Sequence, residues 1–448
     1  MKILKKIIRA LLIFLLVLST LALLCIAPID DTPYQEQAYY EATLQALDSL
    51  EKTLAKEETD TVQAGWSEKN ITPQKPVSLM GYGWKGDYER VHDSLQVRAV
   101  VFSNNVQSVA WLSYDLMVLH PDLVHAIRQA VDTAQLPVRN LYFTAVHTHN
   151  GFGEWAKGLG GKLIAGGYNE DLVKFIVEQT LRAIREAYAD RQPVKVGYGE
   201  FAVPELINNR LVKGGEVDSY LRAIKLEQNS GITALLCTYA AHATFLNSKR
   251  MDLSADYPSA LVEMLEKHAE IDFAAFAAGA VGSHSPLKEG EFSYEKMDSY
   301  ATQLAKPLLQ SLDSIPTYYT TQLRYADIPF HLGESQLKLS PHWRVRPWLF
   351  SAVMGNINPQ ITGIRLGDVM MVGTPADYSG MLYKQLHAED IHLVVSSFNG
   401  SYIGYVIPDT YYDQEHREAR ELNWFGPFTG SYMTEVMNKF IRIVGDGP

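Results

Sequence analysis

Leu141-Tyr142-Phe143-Thr144-Ala145-Val146-His147-Thr148-His149-Asn150-Gly151 is the stretch on which the fold turns. A β-favouring apolar run closes on two histidines one residue apart, and Asn-Gly then turns the chain away. In an extended segment, side chains at i and i+2 project to the same side. His147 and His149 are therefore expected to face one space just beyond a strand end, where open α/β sheets keep their chemistry. Neutral imidazole is the commonest metal ligand. On its own the pair reads equally well as two polar residues closing a strand, so the flanking chain has to decide.

Outward from this stretch the pattern repeats. Upstream, 97–102 and 109–114 alternate as strands, Asp115 ends the second, and 121–133 has helical periodicity. Downstream, the glycine-rich 158–167 reads as a mobile segment that rims a pocket, and 171–189 as an amphipathic helix. Strands at 194–198 and 223–226 flank Asn208-Asn209-Arg210. The run 234–241 ends at His242, and Ser254-Ala255-Asp256 heads a helix over 258–268. The strand 273–280 runs into Gly282-Ser283-His284-Ser285-Pro286. Strand 368–372 ends in Gly373-Thr374-Pro375-Ala376-Asp377, and 393–397 leads to Tyr402 and Tyr405. Strands alternating with helices indicate an α/β fold, a layered mixed β-sheet core flanked by helices.

Composition narrows the function classes. Four of the 40 Lys and Arg (Lys2, Lys5, Lys6, Arg9) precede Asp30, leaving 36 basic against 51 acidic residues, a net of −15. So acidic a body is unsuited to nucleic acid, whose binders need a basic face. Behind the basic cluster, 10–26 is an unbroken run of apolar and small residues and lacks a convincing cleavage site. Residues 1–29 are expected to be a signal anchor that leaves the rest exported, periplasmic or extracellular, with a cleaved signal peptide and secretion as the alternative. A helix start at Asp31-Thr32-Pro33 and apolar Tyr40, Leu44, Leu47, Leu50 and Leu54 make 30–63 a helical stalk. Residues 64–448 form one domain. With only Cys25 and Cys237, cysteine zinc sites and disulfides within that domain are excluded. A metal would need His and oxygen ligands, converging from several strand ends.

The ordered landmarks from residue 64 to 434 resemble the catalytic domain of the neutral/alkaline (non-lysosomal) ceramidases. Met80-Gly81-Tyr82-Gly83, Val146-His147-Thr148-His149-Asn150-Gly151, Asn209-Arg210, Ala241-His242 and Ser254-Ala255-Asp256 are similar to family motifs. So are Gly282 to Pro286, Pro375-Ala376-Asp377, and Tyr402 with Tyr405. The resemblance implies one zinc ion held by His147, His242, Asp377 and Tyr405. It implies His149 and Arg210 facing a scissile amide, with Ser285 contacting substrate or assisting. The implied activity is hydrolysis of the N-acyl bond of ceramide or a related N-acyl lipid. The chain departs from the family pattern in having Asp377 for Glu, Ser283 for Asp and Arg417 for a Tyr, and in ending without the family's C-terminal β-sandwich domain. A non-catalytic lipid- or glycan-binding surface protein is one alternative, and a serine hydrolase centred on Ser285 is another. The aromatic 341–350 reads either as a bilayer contact or as packing.

Overall fold

A sheet with apolar side chains on both faces needs cover on both sides, and the chain supplies it in four layers. A computed structural model describes residues 2–54, 60–83, 85–288, 290, 292–355 and 357–445. The expected stalk's 55–59 and the last residues of the expected domain, 446–448, lie outside the described residues. In chain order, helix α1 (Lys2–Cys25), strand β1 (Ile26–Pro28) and helix α2 (Ala38–Thr53) come first. They precede β2 (Gln63–Asn70), β3 (Gln96–Ser103), β4 (Ser108–Tyr114), α3 (Pro121–Thr133) and β5 (Asn140–Ala145). Next are α4 (Gly158–Ala165), α5 (Glu170–Ala189), β6 (Gln192–Ala202), β7 (Tyr220–Gln228) and β8 (Thr233–Tyr239). Then follow α6 (Tyr257–Glu266), β9 (Phe273–Ala278), α7 (Tyr294–Gln310), β10 (Leu323–Pro329), β11 (Trp343–Val345) and α8 (Pro347–Met354). The series closes with β12 (Gln360–Leu366), β13 (Val369–Gly373), β14 (His392–Ser396) and α9 (Thr429–Gly445).

Among the described residues the large sheet runs β9-β8-β7-β6-β2-β3-β4-β5, with Tyr318–Tyr319 added on β6. The smaller sheet runs β10-β12-β13-β14. Side-chain alternation assigns each face. On β4, Val109 and Trp111 enter the core between the two sheets, whereas Ala110, Leu112 and Tyr114 enter the core beneath α3, α5, α6 and α7. On β13, Val369 and Met371 face the large sheet, while Met370 and Val372 face α2 and α9. Both sheets are thus covered on both faces, which is why their strands read as continuous apolar runs. The stalk residue Leu47 is buried in the α2–α9 layer, so α2 lies on the body.

Within the two main sheets, among the described residues, three strand pairs are parallel: β4 with β5, β8 with β9, and β13 with β14. Parallel partners deliver their C-terminal ends to a common edge, and the residues singled out above follow those ends. Several local expectations are revised. The 158–167 segment is a helix, closed by Gly166 at φ 78°, because Gly160 and Gly161 fit where a Cβ would strike the Val353 and Ala156 carbonyls. The helix expected from Asp31 is delayed by a 3-10 turn at Tyr34–Glu36 and begins after Gln37. The strand expected to 241 ends at Tyr239, which leaves His242 in the following turn.

Candidate metal centre

The two histidines of the opening stretch converge, but not through strand pleating. β5 stops at Ala145, and His147 adopts φ 64°, a left-handed conformation costly for a residue with a Cβ. Phe398, on the loop after β14, is also left-handed at φ 66°. Its ring stacks on His147 at 4.0 Å and 9°. The kink turns His147 Nε2 to within 3.2 Å of His149 Nε2.

His242 joins them from the end of β8, and ligand atoms of His147, His149 and His242 all lie within 4.8 Å of one another. Asp377 follows β13, on a two-residue strand paired with Tyr405 in register. Its Oδ1 lies 3.4 Å from His147 Nε2 and 3.1 Å from His242 Nε2. Tyr405 Oη is 2.9 Å from His242 Nε2. All five residues are buried. The shorter carboxylate of Asp377 reaches the cluster with the help of Gly282, whose missing Cβ would otherwise lie 2.2 Å from the Asp377 carbonyl oxygen.

Proton accounting reveals what this arrangement lacks. A carbonyl only accepts, so His147 Nδ1–H donates to Met117 O at 2.8 Å and His242 Nδ1–H donates to Val281 O at 2.9 Å. Both Nε2 atoms of the neutral rings then present lone pairs to Asp377 Oδ1. The Tyr405 hydroxyl and the Arg210 guanidinium both reach His242 Nε2 and one His149 N–H can serve His147 Nε2, which leaves no donor for Asp377 Oδ1. Asp377 Oδ1 and His149 Nδ1 have no hydrogen-bond partner, although both are buried. A surplus of buried acceptors around one carboxylate oxygen calls for a cation. Two imidazoles oriented through Nδ1, a carboxylate and a phenol form a donor set that zinc accepts. The residues fit the implied ion.

The charge environment agrees. Burial, aided by the Arg210 cation, pushes His242 down to about 3. Burial and the two neighbouring imidazoles hold His149 well below the usual histidine range, so both rings are neutral near pH 7. Tyr402, a residue the sequence reading gave no task, donates to Asp377 Oδ2 at 2.6 Å and so fixes which oxygen faces the rings.

The other expected residues divide. The guanidinium of Arg210 donates to Tyr405 Oη and lies 3.4 Å from His242 Nε2. It is held on its other side by Glu418 at 3.1 Å. Glu418 was missed by sequence reasoning, while its neighbour Arg417 points outward and pairs with Glu421 at 2.9 Å. Ser285 Oγ donates to Asn208 Oδ1 at 2.7 Å, so its side chain engages an amide and no imidazole. Ser283 is buried in a hydroxyl chain, accepting from Ser379 at 2.7 Å beside His284 Nδ1 at 2.8 Å. Gly81 was also missed as a site residue. At φ 147°, its absent Cβ leaves room for the His149 backbone, which would be 2.3 Å away. Its sequence signal was its place in Met80-Gly81-Tyr82-Gly83, and the next residue's ring, Tyr82, lies 5.0 Å from His149.

The chain shares its family and its fold with known proteins. Residues 63–302 match the family described as neutral/alkaline non-lysosomal ceramidase, N-terminal. No curated protein matches the sequence. Among solved structures, the neutral ceramidase from Pseudomonas aeruginosa is similar with a TM-score of 0.72 at 17% identity, over 87% of this chain and 75% of that one. A ceramidase complexed with C2 gives 0.71 at 16% identity, over 86% and 75%. At such identities the likeness is one of fold.

Proposed function

Since this chain belongs to the neutral/alkaline non-lysosomal ceramidases, hydrolases acting on the amide bond of ceramide, we propose that it is a zinc amidohydrolase of N-acyl lipids. In this reading one zinc ion per chain is held by His147, His242, Asp377 and Tyr405, and helix α1 tethers an exported body to a membrane. The substrate is ceramide or a closely related N-acyl lipid. The observation that carries the reading is the partnerless Asp377 Oδ1, buried between imidazole nitrogens that can only accept.

A bound zinc ion supplies a water acidic enough to attack near neutral pH and polarises the amide carbonyl. The chain's own residues do the rest. His149, neutral because burial depresses its pKa, takes up the proton released by the attacking water and returns it to the leaving amine. Arg210 cannot act as a base. Locked by Glu418 and Tyr405, it offers fixed positive charge to the developing oxyanion. Tyr402 keeps the Asp377 carboxylate from rotating. Phe398 covers the outer face of His147 and excludes water from it.

The test is elemental analysis of the purified chain combined with turnover of N-acyl lipids. Chelation should abolish turnover and zinc should restore it. His147→Ala and His242→Ala should lose metal and activity together, whereas His149→Ala should retain the metal and lose turnover. Full activity in a metal-free preparation would overturn the reading. Equal loss of metal from His147→Ala and His149→Ala would return the two histidines to equivalent ligand roles.

A further inference from the structure

Helix α4 is built inside out. A surface helix normally turns its large apolar residues toward the core. In α4, Gly160 and Ala165 are buried, whereas Leu159 and Leu163 are 52% and 58% exposed and Ile164 is also exposed. Gly160 allows the helix to sit directly on α8, since a Cβ there would come within 2.6 Å of the Val353 carbonyl oxygen. Next to α4, α8 and the hairpin that β11 makes with the antiparallel strand Lys338–Ser340 also expose apolar side chains, Leu339, Trp343 and Trp348, the two indoles 50% and 56% exposed. Contiguous apolar surface of this kind marks an interaction site.

The end of α1 is fastened to this surface. The last carbonyls of a helix have no partners within it. Here the Arg346 Nε–H donates to Leu23 O at 2.9 Å, and the Trp348 indole N–H donates to Leu24 O at 3.0 Å. The Arg346 backbone N–H donates to Cys25 O at 2.8 Å. β1 then pairs antiparallel with β11, placing Ile26 opposite Val345 and Pro28 opposite Trp343. α1 itself is long and apolar enough to cross a membrane, and none of its apolar window is buried against the body.

We propose that α4, the β11 hairpin and the head of α8 form a single face that rests in the headgroup–acyl boundary of the bilayer that α1 enters. This rests on the reading of α1 as a retained anchor. The occupant follows from continuity: the patch begins where the apolar helix ends, and the bonds between them leave no linker to hold the body away from the membrane. Tryptophans suit that boundary because an apolar ring carries a polar edge. The exposed Lys157 and Lys162 on and before α4 offer positive charge to anionic headgroups on a body that is otherwise acidic. The face also reaches the metal centre. Phe350 of α8 lies 5.6 Å from Trp424, Trp424 lies 5.2 Å from Tyr402, and Tyr402 holds Asp377. Docking therefore sets the cluster close to the layer in which an N-acyl lipid resides.

The test uses the full chain carrying Cys25→Ser, reconstituted into vesicles of phosphatidylcholine and phosphatidylglycerol. An environment-sensitive dye is placed in turn at Leu159→Cys, Leu163→Cys and, outside the patch, at the exposed Tyr318→Cys. The expected result is that the chain floats with the vesicles. Both α4 labels should shift to the blue on reconstitution and be quenched by nitroxide lipids, and the Tyr318 label should do neither. α4 labels that remain water-like while the chain still floats would overturn the docking face and leave the anchor standing. Failure to float would overturn both. Shifts at all three positions would show that no particular face is engaged. None of these readouts depends on zinc or turnover, so they are separate from the test of the activity.

Discussion

Replacing Asp377 with Asn tests the proton accounting at the cluster, because it should stabilise the metal-free protein while destroying the metal site. The side chains have nearly the same shape, so packing is unchanged. Tyr402 can still donate to the retained oxygen at 2.6 Å. The amide nitrogen would take the place of Oδ1, 3.1 Å from His242 Nε2 and 3.4 Å from His147 Nε2. Two lone pairs that faced a carboxylate would face N–H donors instead. Each new bond contributes about 0.5–1.5 kcal/mol, and a buried oxygen without a donor is removed, so the gain is roughly 1–3 kcal/mol. The assay is chelator-stripped protein unfolded in denaturant, wild type against Asp377→Asn, with zinc content measured on untreated samples. The expected outcome is a higher midpoint at unchanged slope together with loss of bound zinc. A metal-free variant less stable than metal-free wild type would refute the reasoning. It would mean that an imidazolium, and not a vacant cation position, balances the Asp377 charge.

Three further outcomes follow from the same geometry. Gly81→Ala places a methyl 2.3 Å from the His149 carbonyl oxygen. It should cost about 1–3 kcal/mol of stability and reduce kcat by displacing His149, while metal content stays intact; wild-type turnover in Gly81→Ala would contradict the assigned role of His149. Glu418→Gln removes the charge that orients Arg210 and should lower kcat/KM on the order of 10-fold, equivalent to about 1.4 kcal/mol of transition-state stabilisation. An unchanged value in steady-state kinetics would leave Arg210 without its proposed part. Burial, partly opposed by Asp218, lowers His284 to about 4. Because the folded state resists protonating it, its contribution is fully present above the unfolded value near 6.5 and is lost as pH falls toward 4, up to about 3 kcal/mol. His284→Gln should flatten the stability profile in that window, and a profile parallel to wild type would assign the acid sensitivity elsewhere.

The local sequence determined a good deal. Helix α3 spans the residues that its periodicity indicated, 121–133. The apolar runs of β5, β8 and β9 signalled a buried sheet, because hydrophobic patterning is a local property set by burial, whereas 109–114 read as an alternating strand and β4 proves to be buried on both faces. His147, His149, His242 and Asp377 stood out because each follows an apolar strand and can donate a lone pair, whereas Tyr405 was singled out among the tyrosines by the family resemblance. Tertiary structure decided how those residues come together. The kink at His147 needs Phe398, more than 250 positions away, stacked on it. Asp377 reaches the cluster because Gly282 has no Cβ, and Tyr402 selects the oxygen that faces inward. Glu418 joins Arg210 while its neighbour Arg417 turns to solvent, a difference that follows from which way a short helix faces. Glycine's space and a carboxylate's missing donor are properties of what surrounds a residue. They exist only once distant segments have been brought into contact.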